Sequence, residues 1–455
     1  MKNMTKIAGL GAGLAAALAA LPALAQEAAA TATDAAAAAA PAVTPVMDKG
    51  DVSWMMTSSA LVLFMTIPGL ALFYGGLVRA KNMLSILMQT TIIACMVMVM
   101  WVTYGYSMTF GGSDSPWWGG FAKLFLKGVT ADSMSATFSA GYVIPEYVFI
   151  CFQMTFAAIT PGLIIGAWAE RVKFKSVLLF MAIWTTFSYF PIAHMVWDAN
   201  GYLFKLGAID FAGGTVVHIN AGIAAFVGCL VIGKRVGYGR ENMAPHSMVM
   251  TMIGASMLWF GWFGFNVGSN LEANGGAGLA MINTFIATAA AALTWTGVEA
   301  AQRGKASMLG AASGMVAGLV AITPACGTVG PMGAILLGII VSVVCYFFVT
   351  VVKNRLKYDD SLDVFGVHCI GGIIGAVGTG ILSAPVFGGV KGDDYAIGAQ
   401  TFIQIEAVVL TLVWSAVVAY VGYKITDLVF GLRVEPDVER EGLDQASHGE
   451  TAYHA

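Results

Sequence analysis

Val217-His218-Ile219-Asn220-Ala221-Gly222-Ile223 and Val367-His368-Cys369-Ile370-Gly371-Gly372-Ile373 are two copies of one phrase, V-H-x-x-x-G-I. Each lies within an apolar run of membrane-spanning length. A titratable ring in hydrocarbon is costly, so an intramembrane histidine marks a functional site by default. Two of them at matching places in two halves of a chain predict one pore assembled from a duplicated fold.

Composition agrees. Of 455 residues, 58% are hydrophobic and only 11% charged, against roughly 25% charged in soluble domains. The mean hydropathy of +0.77 is that of a membrane protein. The net charge of −3 argues nothing about nucleic acid, but no basic cluster is large enough to track phosphates, so no nucleic-acid partner is expected. The 55 glycines suit closely packed membrane helices. Cys95, Cys151, Cys229, Cys326, Cys345 and Cys369 sit mostly in apolar runs and form no C-x-x-C pair. They read as small buried hydrophobes, not as a disulfide or metal framework. No H-E-x-x-H occurs and no paired carboxylate accompanies the two histidines, so the sequence predicts no metal, cofactor or catalytic residue.

Lys2 and Lys6, an apolar stretch to about Leu21, and Ala23-Leu24-Ala25 predict a secretory signal peptide over 1–25. Residues 26–50 are Ala-rich and read as a flexible extracytoplasmic linker. A bilayer needs about 20 apolar residues per helix. Suitable runs lie near 54–77, 84–108, 146–168, 176–197, 213–232, 247–267, 278–301, 307–324, 328–350, 365–384 and 401–430. These eleven spans fill a membrane domain over 51–433 and leave a tail over 434–455.

Signal-peptide cleavage would put the N-terminus outside. Alternate loops then carry Arg79 and Lys81; Arg171, Lys173 and Lys175; Lys234, Arg235 and Arg240; Arg303 and Lys305; and Lys353, Arg355 and Lys357. The opposite loops hold only Lys123, Lys127, Lys205 and Lys391. The positive-inside rule makes the basic loops and the tail cytoplasmic. His218 then falls in the fifth span and His368 in the tenth, running in opposite directions. Five spans per unit is odd, so the second unit is inverted, and the eleventh helix stands outside the repeat. Ile159-Thr160-Pro161 and Ile322-Thr323-Pro324 form a second matched pair. Inverted repeats place substrate sites near the midplane.

Neighbouring imidazoles share a hydrogen bond, one donating and one accepting, and their titrations couple. Such a pair suits a small polar guest that exchanges a proton. It does not suit a bare alkali ion, which wants oxygen ligands. Asp210 precedes the fifth span, where an acid caps exposed N–H groups and adds negative potential. Phe152, Phe156, Trp197 and Phe265 fall near the outer ends of spans, with Ser269 just beyond. Singly each reads as part of an aromatic belt. Together they would form a cation–π cup with a hydroxyl acceptor, fit for a small cation bearing N–H groups.

From about Asp51 to the C-terminus the chain resembles the Amt/Rh ammonium transporters, of the bacterial AmtB type. The resemblance rests on Ala71-Leu72-Phe73-Tyr74-Gly75-Gly76, Asp210 to Asn220, Gly261-Trp262-Phe263-Gly264-Phe265-Asn266 and Asp363-Val364-Phe365-Gly366-Val367-His368. It implies the ammonium-transporter fold of eleven helices and a homotrimer with a pore in each subunit of the inner membrane. It implies an outer ammonium site at Phe156, Trp197 and Ser269 with Phe152 nearby, and a stacked gate of Phe156 and Phe265. His218, His368, Trp262 and Thr323 would line the pore, and Asp210 would be the structurally important acid. Gln153 and Tyr74 also sit at matched positions. The tail segment Arg440 to Glu450 would dock a PII-type signal protein, although its charge alone reads as a disordered terminus. Ammonium, with methylammonium as analogue, is the implied substrate. An ammonium sensor acting through the tail is the alternative, and the chain shows no kinase or cyclase segment to serve it.

Overall fold

A computed structural model describes residues 45–453. The predicted signal peptide and residues 26–44 of the predicted linker lie outside the described residues. The rest of that linker is structured. Val46–Met47 (β1) pairs in parallel with Tyr142–Pro145 (β3), which pairs antiparallel with Met134–Ala136 (β2). The first helix starts at Lys49, where the Asp48 carboxylate accepts from the Gly50 and Asp51 N–H groups. An N-capping aspartate of this kind extends the helix beyond its apolar run.

Among the described residues, ten helices are long and apolar enough to cross a membrane, and a shorter apolar one brings the number to the expected eleven. They are α1 (Lys49–Leu77), α2 (Ala80–Phe110), α3 (Glu146–Trp168), α4 (Phe174–Leu206), α5 (Gly214–Ile232) and α6 (Met248–Gly268). After them come α7 (Gly275–Arg303), α8 (Met308–Ile322), α9 (Pro331–Leu356), α10 (Phe365–Leu382) and α11 (Ile397–Phe430). The short α8 stops just before Pro324, which has no N–H to continue the ladder.

Both repeats of the histidine phrase begin their helices, and both begin in a π-helical turn: Gly214–Ile219 in α5 and Phe365–Cys369 in α10. The two turns meet, and each packs against the body of the other helix. The shared glycine explains how. A Cβ on Gly222 would come 2.5 Å from the Cys369 backbone nitrogen, and one on Gly372 2.9 Å from the Ile219 side chain. Each glycine, four residues after its own histidine, thus makes room for the residue following the other histidine. We expect Gly222→Ala to lower stability by about 1–3 kcal/mol, since a backbone atom must give way. Thermal unfolding in detergent measures this, and an unchanged midpoint would mean the crossing has slack.

At one end of the bundle, buried charges tie four interhelical loops together. The Arg235 guanidinium donates to both Asp359 oxygens, at 3.0 and 2.9 Å, and to Glu170 at 3.2 Å. Arg79 donates to Glu170 from its backbone and its side chain. Arg171 gives its hydrogens to the carbonyls of Gly233, Ala169, Ala167 and Asp359 and to the Ser361 hydroxyl. Burial pushes the Glu170 and Asp359 carboxyls up, but Arg235, with Arg79 or Arg171, overcomes it and holds both below their ordinary values. A depressed folded value gives stability that is full above the unfolded value and lost as pH falls through the folded one. The network's contribution therefore holds down to about pH 4 and disappears below that. Glu170→Gln, which cannot ionise, should start less stable and lose less on acidification. Parallel acid limbs for the two proteins, in thermal unfolding against pH, would contradict this.

The tail folds onto the same end. Pro436–Glu441 forms a helix (α12), and the Glu439 carboxylate takes the Val236 N–H at 2.6 Å and the Arg433 guanidinium. Leu443 is buried, and its N–H donates to the Asn82 side chain. The Asp444 carboxylate takes the N–H groups of Leu84 and Ser85 near the start of α2. A charged segment that reads as disordered is thus held by specific caps and one apolar anchor.

Candidate conduction pathway

A column of rings runs from the opposite end towards the two histidines. Trp197, on α4, meets Phe156 of α3 edge to face, with centroids 5.8 Å apart. Phe152, one helical turn earlier, lies 4.9 Å from Phe156. Phe156 stacks on Phe265 of α6 at 4.1 Å and 19°, which leaves no passage between the two rings. Phe265 lies 6.1 Å from the His218 ring, and Trp262 stacks on His218 at 5.4 Å and 21°. Trp262 is fixed by its Nε1–H bond to the Thr323 hydroxyl, 2.9 Å, which itself donates to the Leu319 carbonyl.

Polar groups at the cup end are committed in specific ways. The Ser269 hydroxyl donates to the Phe265 carbonyl at 2.8 Å. Its hydrogen is spent, so the oxygen offers lone pairs only, as a site for an N–H donor requires. The Trp197 Nε1–H donates to the Asp210 carbonyl. The Asp210 carboxylate accepts from four backbone N–H groups, those of Gly213, Gly214, Thr215 and Val216, at 2.6–3.0 Å. Asp210 therefore caps the π-turn that carries His218 and holds Trp197 through its backbone.

The histidines meet as the repeat requires. His218 Nδ1 and His368 Nδ1 are 3.2 Å apart in buried surroundings. One must donate and the other accept. His218 Nε2 has no hydrogen-bond partner among the described residues. Both rings line a narrow cavity of roughly 10 Å³ whose other walls, Trp262 aside, are Met, Leu, Ile, Val and Phe side chains. Among the described residues no oxygen-bearing side chain lines it. A second space of roughly 130 Å³ shares Phe73, Val316 and His368 with the first and opens among Tyr74, Ser313, Ser361 and Asp363. Tyr74 is fixed by donating to the Leu163 carbonyl. Gln153 is half-buried beside Phe152.

One positioning residue escapes the sequence reading. Asp360 takes the N–H groups of Val364 and Phe365, at 3.1 and 2.8 Å, at the head of α10. It lies eight residues before His368, as Asp210 lies eight before His218. That common spacing was the available signal. Burial first, and the neighbouring Asp363 next, push the Asp360 carboxyl up to about 6 against Lys353 and the two N–H bonds.

Fold and site define a polytopic helical membrane protein with a narrow, apolar-walled cavity lined by two imidazoles. Residues 53–453 match the model of the Ammonium Transporter Family. The chain is 46% identical to an ammonium transporter of Aquifex aeolicus, over 90% of this chain and 94% of that one. It is 43% identical to one of Bacillus subtilis, over 90% and 99%. Among solved structures it is similar to Candida albicans Mep2, with a TM-score of 0.78 and 33% identity over 86% of this chain and 87% of that one. It also matches a protein titled Sensor Amt Protein, with a TM-score of 0.80 and 27% identity over 88% and 98%. The chain belongs to the ammonium transporter family, as a multi-pass membrane protein and not an enzyme.

Proposed function

We propose that this protein takes ammonium from outside the cell and passes it to the cytoplasm as ammonia, with the proton relayed by the twin histidines. The carrying observation is the unbroken column from Trp197 through Phe156 and Phe265 to His218 and His368. Ring faces attract the cation, and the Ser269 lone pairs accept one N–H. Beyond the stacked phenylalanines a cavity without oxygen ligands disfavours charge, so the guest sheds its proton. Potassium has no neutral form and is rejected by the cost of dehydration.

The relay follows from the shared hydrogen bond. With one Nδ1 donating, its ring keeps a bare Nε2 and the other ring carries an Nε2–H. A proton accepted at the bare Nε2 moves across the pair and leaves from the far ring. Both tautomers are then reversed, and each ring must return before the next cycle.

The positive-inside rule supports a cytoplasmic network and tail end, with the cup on the outer face of the inner membrane. The assembly is a homotrimer, and the docked tail is the surface that a PII-type signal protein engages. The likeness to a protein titled Sensor Amt Protein supports a second reading, a sensor without useful flux. Uptake of methylammonium by cells lacking other ammonium transporters separates the two. Transport expects saturable accumulation that ammonium competes away, and uptake no greater than in cells without the protein would support the sensor.

A further inference from the structure

His194 lies three residues before Trp197, on the same helix and wholly buried, and no part of the conduction pathway uses it. Its Nδ1 is 2.7 Å from the Thr109 carbonyl oxygen and its Nε2 is 2.8 Å from the Ser115 carbonyl oxygen. Both partners can only accept. A neutral imidazole has one N–H and one lone pair, so it would set a lone pair against an oxygen at hydrogen-bond distance. A ring hydrogen on each nitrogen satisfies both contacts. The surroundings suit such a cation. His194 sits in the last turn of the helix Phe190–Trp197, where carbonyl ends concentrate negative charge.

Neighbouring charges are engaged elsewhere or exposed. Asp198 caps the Asn200 N–H, Asp210 holds its four N–H groups, Glu146 pairs with Lys123, and Asp114 is exposed. Among the described residues no carboxylate forms an ion pair with His194. The ring joins α4 to the end of α2 and the loop after it. Two flanking bonds, Asn200 Nδ2 to the Ser113 carbonyl and the Tyr202 N–H to the Pro116 carbonyl, close the same seam. Trp197 is thus fixed from one side by Asp210 and from the other by this staple.

We propose that His194 is a positioning residue for the Trp197 wall of the ammonium cup, holding it as an imidazolium that donates from both ring nitrogens. The positioning role rests on the proposed outer site, whereas the two-donor ring rests on geometry alone. The first test is nitrogen NMR of protein labelled with 15N-histidine, at neutral pH. One ring with both nitrogens protonated should be present and should vanish in His194→Gln. If the ring that vanishes has a bare nitrogen, the proposal is overturned. Should that variant not fold, dipolar contacts to carbonyl-labelled threonine and serine assign the wild-type ring instead.

The second test is methylammonium transport by His194→Gln and Trp197→Leu. For His194→Gln we expect KM to rise about fivefold, the loss of one net hydrogen bond, with the maximal rate unchanged. A raised KM in Trp197→Leu with none in His194→Gln overturns the positioning role and leaves the cup intact. An unchanged KM in both overturns the cup, and the positioning role with it, while the NMR result still decides the two-donor ring.

Discussion

Replacing both imidazoles by leucine, His218→Leu with His368→Leu, should leave a folded protein whose ammonium-evoked current falls by ~100-fold or more, the usual worth of a positioned proton-transfer group. Leucine is close in bulk to imidazole, and the cavity walls are already apolar, so the change costs little packing. What disappears is the pair of groups that, among the described residues lining the cavity, can both accept and release a proton, 3.2 Å apart at their Nδ1 atoms. Either single replacement should be nearly as damaging, because a relay of two rings fails when one is missing. Current recorded from proteoliposomes tests this directly. Wild-type current in the double variant would show that the histidines merely shape the lumen.

The second large effect is structural. Asp210→Ala leaves four buried N–H groups without the carboxylate that holds them. Each orphaned donor costs about 1–3 kcal/mol, and since the four share one acceptor the total should be about 3–5 kcal/mol. Asp210→Asn keeps one acceptor oxygen but turns an amide NH₂ towards two of the donors, so it should fall between the two. Thermal unfolding of the purified variants gives the order wild type, Asn, Ala. Ala matching wild type in stability would mean that water or a shift of the turn replaces the carboxylate. The same loss frees the Asp210 backbone that anchors Trp197, so transport by Asp210→Ala should fail even where folded protein is recovered.

The sequence carried the frame because each signal was local. Apolar length marked ten long helices and a short one, and the two V-H-x-x-x-G-I phrases announced the crossing of α5 and α10. The purpose of the glycine in that phrase depends on which residue of the other helix it faces, and that is a tertiary fact. Asp360 is hidden because Asp359, Asp360 and Asp363 share one loop and only the spacing to His368, which repeats that of Asp210 to His218, singles it out. Charge alone makes the tail a disordered terminus, whereas the resemblance implies a partially ordered regulatory arm. Glu439 and Asp444 look like solvent-facing acids until Val236, Leu84 and Ser85 supply the N–H groups they cap. The charge pairs of Arg235 with Asp359 and Glu170 join residues 124 and 65 positions apart and leave no pattern in sequence. The aromatic column was legible only as types near span ends, and its convergence on Phe265 needed the packed helices.

The central claim is that a dry lumen passes only a guest that can give up its charge. Its most direct test places ammonium and potassium gradients of equal size across proteoliposomes containing the purified protein and records current for each. The account predicts current with ammonium and none above empty liposomes with potassium. A potassium current comparable to that of ammonium would contradict it, because an ion that cannot deprotonate would have crossed the same apolar-walled cavity.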